Sequence, residues 1–142
     1  MFLGRFSHNL DTKGRLAIPS RFRDEFGADV VITRGIDRCL SLYSVETFQP
    51  LAEKVSALSI SDPDARTFRR MVFAEAASAE FDKQGRILIP PDLRLYAGLD
   101  REAVVIGMHT YVEIWNPVAW ESQAQLMDEE GASIAQRLAT LI

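Results

Sequence analysis

A chain of 142 residues has room for one ordinary domain, or for two very small ones that share a core. Hydrophobic residues at 47% and charged residues at 25% describe a soluble globular protein, and the longest apolar run, near Ala103–Ile106, is far too short to span a bilayer. The net charge of −4 argues against indiscriminate attraction to nucleic acid.

The N-terminal Met1-Phe-Leu-Gly-Arg5 holds no apolar segment of signal-peptide length. A short strand ends at Leu10, and Asp11-Thr-Lys-Gly14 follows as a tight turn. The aspartate at its head accepts hydrogen bonds from amides a few residues on, and Gly14 supplies a positive φ. Leu16-Ala-Ile18 reads as the return strand of a hairpin. Pro19 ends that strand and suits the first turn of a helix, whose apolar face is Phe22 and Phe26 at i, i+4. Gly27 falls where a left-handed C-cap belongs. Strands are expected at Val30–Thr33 and Leu40–Tyr43. Ser44 then caps a helix running to about Leu58, a loop covers Ser59–Pro63, and a second linker helix covers Asp64–Ala77.

From there the chain repeats itself. Asp11-Thr-Lys-Gly-Arg-Leu-Ala-Ile-Pro-Ser-Arg-Phe-Arg23 aligns without gaps on Asp82-Lys-Gln-Gly-Arg-Ile-Leu-Ile-Pro-Pro-Asp-Leu-Arg94. Asp, Gly, Arg, Ile, Pro and the final Arg recur at equivalent places. Gly27 matches Gly98, and Leu40–Tyr43 matches Val112–Trp115. The second copy therefore has a strand ending at Phe81, a turn at Gln84-Gly85, a return strand at Ile87–Ile89, a helix with Leu93 and Ala97 on one face, and strands at Ala103–Gly107 and Tyr111–Trp115. Asn116-Pro117 is a second cap signal. The helical C-terminal segment starts with Trp120 and is expected to break near Gly131, with Ile134, Leu138 and Leu141 as an apolar stripe.

A single four-strand module buries little core, whereas two in one chain pair as a pseudo-dimer. The expected fold is α+β: two intertwined βαββ modules forming a small pseudo-dimeric barrel with flanking helices. Module 1 is placed at residues 5–51, a helical linker at 52–76, module 2 at 77–120 and a C-terminal helical segment at 121–142.

Enzyme motifs are absent: no G-x-G spacing, no phosphate-loop lysine, and no metal-ligand spacing among His8, His109 and Cys39. No enzyme, cofactor, metal or small-molecule substrate is expected. Cys39 reads as a buried small hydrophobe that forms no intrachain disulfide, His8 as a solvent-exposed strand residue, and Tyr43 and Trp115 as core or barrel-rim packing. A cytoplasmic protein is the simplest expectation. Charge is unevenly placed. Met1–Arg23 carries +4 through Arg5, Lys13, Arg15, Arg21 and Arg23 against Asp11, and Glu113–Ile142 carries −4. Each Asp-x-x-Gly-Arg turn fixes one arginine, Arg15 or Arg86. Arginine makes bidentate bonds to guanine in the major groove, or to phosphate. An Asp11–Arg15 or Asp82–Arg86 pair that only stabilises its turn fits the same spacing.

The motifs Met1-Phe-Leu-Gly, Asp11–Ser20, Asp82–Pro90 and Pro91, Leu93, Arg94 resemble the MraZ family of tandem SpoVT-AbrB modules, over nearly the whole chain. The resemblance implies a DNA-binding transcriptional regulator, expected to repress, of the bacterial division and cell-wall gene cluster. It implies association with the nucleoid and assembly of copies into a ring on short repeated sites in double-stranded DNA. By this resemblance Arg15 and Arg86 contact DNA, Asp11 and Asp82 with Gly14 and Gly85 hold the turns, and Arg23 and Arg94 match an arginine that related modules use on DNA. Lys13 and Arg5 of the basic segment complete the candidate set. Lys13 becomes Gln84 and Arg21 becomes Asp92 in the second copy, which predicts unequal binding by the two modules. An antitoxin-like interaction module on the same barrel is the competing expectation.

Overall fold

The computed structural model describes all of residues 1–142. Module 1 contributes β1 (Arg5–Asn9), β2 (Arg15–Ala17), α1 (Ser20–Phe26), β3 (Asp29–Arg34) and β4 (Leu40–Ser44). Two helices link the copies, α2 (Val45–Ser56) and α3 (Pro63–Phe73). Module 2 repeats the order with β5 (Ala77–Glu80), β6 (Arg86–Leu88), α4 (Pro91–Ala97), β7 (Glu102–Gly107) and β8 (Val112–Trp115). The chain ends in α5 (Pro117–Leu138) and a 3₁₀ turn at Ala139–Leu141.

The modules are intertwined through their ladders. Six strands form an antiparallel sheet in the order β1-β7-β8-β4-β3-β5, and β2 pairs with β6 in a separate ribbon. Only β3–β4 and β7–β8 pair within a module. The ladders β1–β7, β3–β5, β4–β8 and β2–β6 all join one copy to the other. Sheet and ribbon enclose one core, where Leu16 and Ile18 of the first copy meet Ile87 and Ile89 of the second, with Phe22, Leu93, Ile32, Leu42, Val105 and Ile114. Strand alternation selects these side chains: Val30 and Ile32 face inward, while Val31 and Thr33 face the layer formed by α2 and α3.

Several local expectations are revised. The Asp11 turn does not close a two-stranded hairpin. Leu10 and Leu16 form a single isolated bridge, after which β2 leaves β1 and pairs with β6. β1 has taken β7 as its partner, and Pro19 limits β2 to three residues. The second linker helix stops at Phe73, because Ala77–Glu80 supplies a strand to the edge of β3, and pairing outweighs the helix propensity of an alanine-rich stretch. α5 starts at Pro117 and runs unbroken through Gly131, since one internal glycine costs only about 0.5–1 kcal/mol relative to alanine. Gly98 takes the left-handed C-cap conformation, whereas Gly27 has positive φ with an extended ψ. His8 is half-buried rather than exposed.

Caps appear where the sequence marks them. Ser44 Oγ accepts from Thr47 N at 3.1 Å, and Asn116 Oδ1 accepts from the amides of Val118 and Ala119. Asn116 also donates to Gly98 O at 2.7 Å, tying the start of α5 to the end of α4.

Candidate nucleic-acid interface

Each turn is built around one aspartate. Asp11 Oδ1 accepts from the amides of Lys13 at 3.0 Å and Arg15 at 2.9 Å, while Oδ2 accepts from Arg15 Nε at 2.5 Å. Asp82 repeats the pattern with Gln84, Arg86 and Arg86 Nε, each at 2.9 Å. The hydrogen bond from the Arg15 amide, helped by the Arg15 side chain and the Lys13 amide, holds the Asp11 carboxyl down at about 2, and the Arg86 amide and side chain with the Gln84 amide lower Asp82 in the same way. A depressed carboxyl contributes stability above its unfolded value, near 3.9, and loses it as pH falls through the folded value. Turn 1 is therefore expected to persist on acidification to about pH 2. A carboxyl-carbon NMR titration should place the Asp11 midpoint near 2, and a midpoint near 4 would show that the turn is open in solution.

The swapped ribbon sets the turns side by side. Leu16 and Ile87, directly opposite one another, point into the core, so Arg15, Ala17, Arg86 and Leu88 form the outward face. Arg15 and Arg86 are diagonal neighbours on that face, about 7–8 Å apart along the backbone. Asp11 serves both: its Oδ2 also lies 3.4 Å from Arg86 Nη1. Arg86 is thus held by two carboxylates and is 24% exposed, while Arg15 is held by one and is 35% exposed.

Arg23 and Arg94 cross between modules. A Cβ on Gly14 would lie 2.5 Å from Arg94 Cζ, and a Cβ on Gly85 would collide with the Arg23 guanidinium. Each arginine therefore lies over the other copy's turn. Backbone bonds run the same way, from Ile18 N to Gly85 O at 3.1 Å and from Ile89 N to Gly14 O at 2.9 Å. Arg94 Nε donates to Ile89 O at 3.0 Å, but the equivalent Arg23 Nε is buried without a partner. Both arginines are half-buried, braced against the turns more than extended from them.

The structure brings Lys13, Gly14, Arg15, Gly85, Arg86, Arg23 and Arg94 together with Asp11 and Asp82. Arg5 stands apart, at the other end of β1 and roughly 20 Å from the turn at about 3.3 Å per residue. Two residues escaped the sequence reading. Lys83 is exposed in the second turn where the first has Thr12, so the loss of Lys13 at Gln84 is made good one position earlier. That signal stands in the alignment. Leu88 is 54% exposed on the ribbon face, although Ile87-Leu-Ile89 reads as uniformly apolar.

Known proteins share the duplication. A family model described as "MraZ protein, putative antitoxin-like" matches twice, over residues 1–71 and 72–141. A protein of Thermomicrobium roseum named "Transcriptional regulator MraZ" is 70% identical over 142 residues, all of both chains. Relatives of the same name from Roseiflexus castenholzii and Acetivibrio thermocellus are 47% and 45% identical, each over 99% of both chains. With both halves matched by one model and full-length relatives at this identity, the chain belongs to the MraZ family.

Proposed function

We propose that this protein is a sequence-specific transcriptional regulator that reads the DNA major groove with its paired turns. The observation that carries the reading is the outward face of the β2–β6 ribbon, where Arg15 and Arg86 stand diagonally and both turns are stiffened by aspartate. A two-stranded ribbon fits the roughly 12 Å major groove, and an arginine pairs bidentately with guanine O6 and N7. Ala17 and Leu88 add apolar surface for a thymine methyl. Lys13 and Lys83, exposed in the turns, meet phosphate, and Arg5 meets phosphate of flanking DNA. Arg23 and Arg94 keep the two turns in register.

The names of the relatives support regulation of transcription. The gene targets we infer from the family resemblance are those of bacterial division and cell-wall synthesis, in the cytoplasm at the nucleoid, with repression as the effect. No helix is long and apolar enough to cross a membrane. A reporter fused to the protein's own upstream region should rise when the gene is deleted, and unchanged output would remove repression from the proposal.

Assembly of several copies into a ring belongs to the same reading. α5 spans 22 residues with none buried, and Val118, Met127 and Leu138 are exposed along it. Such surface suits contact with another copy. Light scattering should give a mass several times 15.9 kDa. DNA cut to one repeat should bind far more weakly than DNA with three or more; a monomer that binds one repeat as tightly as several would refute assembly.

The two turns are expected to contribute unequally. Arg15 has one carboxylate to leave on meeting a base and Arg86 has two, so Arg15→Ala should cost more affinity than Arg86→Ala at the same salt concentration. Equal losses would make the turns interchangeable. The family description favours one further reading, an antitoxin-like module. A protein co-purifying in fixed ratio from the native host, and lost on addition of operator DNA, would support it.

A further inference from the structure

The outer face of the six-stranded sheet carries a cavity of about 230 Å³ that shares no residue with the turns. β3, β4 and β8 present Thr33, Ser41, Tyr43 and Glu113 here, alternating with side chains of the main core on the opposite face. Leu51 of α2 and Phe68 of α3 line the helical side. Tyr43 and Tyr111 stack with centroids 5.2 Å apart and planes 21° from parallel. Asp37 and Glu113 bring two carboxylates to this lining, and neither forms an ion pair. Arg34, the one base in the lining, is already engaged: its Nε lies 3.5 Å from Glu75 and its guanidinium 3.9 Å over the Tyr96 ring.

We propose that this cavity is a binding site for a small organic cation, an ammonium group on an aromatic or short apolar body. Apolar walls with a few convergent polar groups mark a small-molecule site, and the volume, below the roughly 300–1,000 Å³ of drug-sized pockets, limits the body to about one ring. Aromatic faces and unpaired carboxylates both attract a cation, most strongly where water is excluded. The Glu113 carboxylate gives the site a negative charge of its own. Burial, reinforced by the Glu113 charge, pushes the Cys39 thiol up to about 12, and the same two causes raise Tyr43 and Tyr111. Burial opposes charge of either sign, so it is the Glu113 carboxylate that tells against an anionic ligand and offsets the cost of taking a cation out of water. This role adds a ligand where the sequence offered no small-molecule substrate, and it does not depend on DNA binding.

The test uses the full chain and three probes of matched shape: phenethylammonium, 2-phenylethanol and phenylacetate. Calorimetry and ligand-observed NMR should show the ammonium binding at least about tenfold more tightly than the alcohol, with no binding of the carboxylate. Glu113→Gln should lower ammonium affinity about tenfold, and Asp37→Asn, at an exposed carboxylate, by no more than about fivefold, with the thermal melt of the free protein unchanged in both. In Glu113→Gln the amide oxygen still accepts from Trp115 Nε1, the bond that Glu113 makes at 3.0 Å. Arg15→Ala should bind the ammonium like the wild type. Failure of the ammonium to bind in the millimolar range, equal binding of all three probes, or full affinity in both carboxylate variants overturns the proposal.

Discussion

Replacing both ribbon arginines, Arg15→Ala with Arg86→Ala, is expected to abolish specific DNA binding while the protein melts as before. A bidentate arginine–guanine contact is worth roughly 1–3 kcal/mol, so two such losses in one chain lower affinity by about one and a half to four orders of magnitude. In an assembly that engages several repeats the loss multiplies. The fold is expected to survive because both side chains project from the outward face, and the core beneath them is held by Leu16 and Ile87. Their ion pairs with Asp11 and Asp82 are solvent-accessible, and pairs of that kind contribute little to stability. Fluorescence anisotropy on the protein's own upstream DNA, beside a thermal melt, reads both quantities. A double variant that melts normally and binds as tightly as the wild type would remove the two arginines from the DNA contact.

The second large effect is expected at Gly85. Its φ is +75°, a conformation that costs an L side chain roughly 1–2 kcal/mol, and the added methyl meets the Arg23 guanidinium. Gly85→Ala should therefore lower the melting temperature by roughly 3–8 °C and also weaken DNA binding, because the shifted turn carries Arg86. The crossed brace makes a sharper claim than backbone strain alone. In an Arg23→Ala background the methyl has room, so Gly85→Ala should cost less there, with a coupling of at least about 0.5 kcal/mol. Additive losses would leave the strain intact and remove the brace. A phosphate contact by Arg23 would show itself differently, as a shallower dependence of affinity on salt in Arg23→Gln.

The repeat made much of this legible in the sequence. Asp11, Gly14 and Arg15, recurring as Asp82, Gly85 and Arg86, mark the turns, and the aspartate hydrogen bonds expected from those residues are present in both. The α+β class and the interlocking of two copies follow from the same alignment. Strand partnership does not. Period-2 alternation says which side chains face inward, but a three-residue strand such as Arg15–Ala17 carries no information about whether its neighbour is the preceding strand or its counterpart in the other copy. Local patterns also hid the crossing of Arg23 and Arg94, which depends on where the modules dock. α5 misled in another way: Gly131 looks like a stop, yet twenty-two residues of helix absorb one glycine. Leu88 is exposed because the ribbon has only one buried face, and its apolar neighbours gave no sign of that.

If the paired turns read guanines in the major groove, bound protein must cover guanine N7. Dimethyl sulfate methylation of guanine N7 in the protein's own upstream region reports on this contact, since N7 lies in that groove and is the atom that an arginine covers. Short clusters of guanines should be protected at regular spacing by the wild-type protein, with protection of each cluster lost in the Arg15→Ala, Arg86→Ala double variant. A bound complex that leaves every N7 reactive, or a double variant that gives the wild-type pattern, would contradict reading of guanines by the turns.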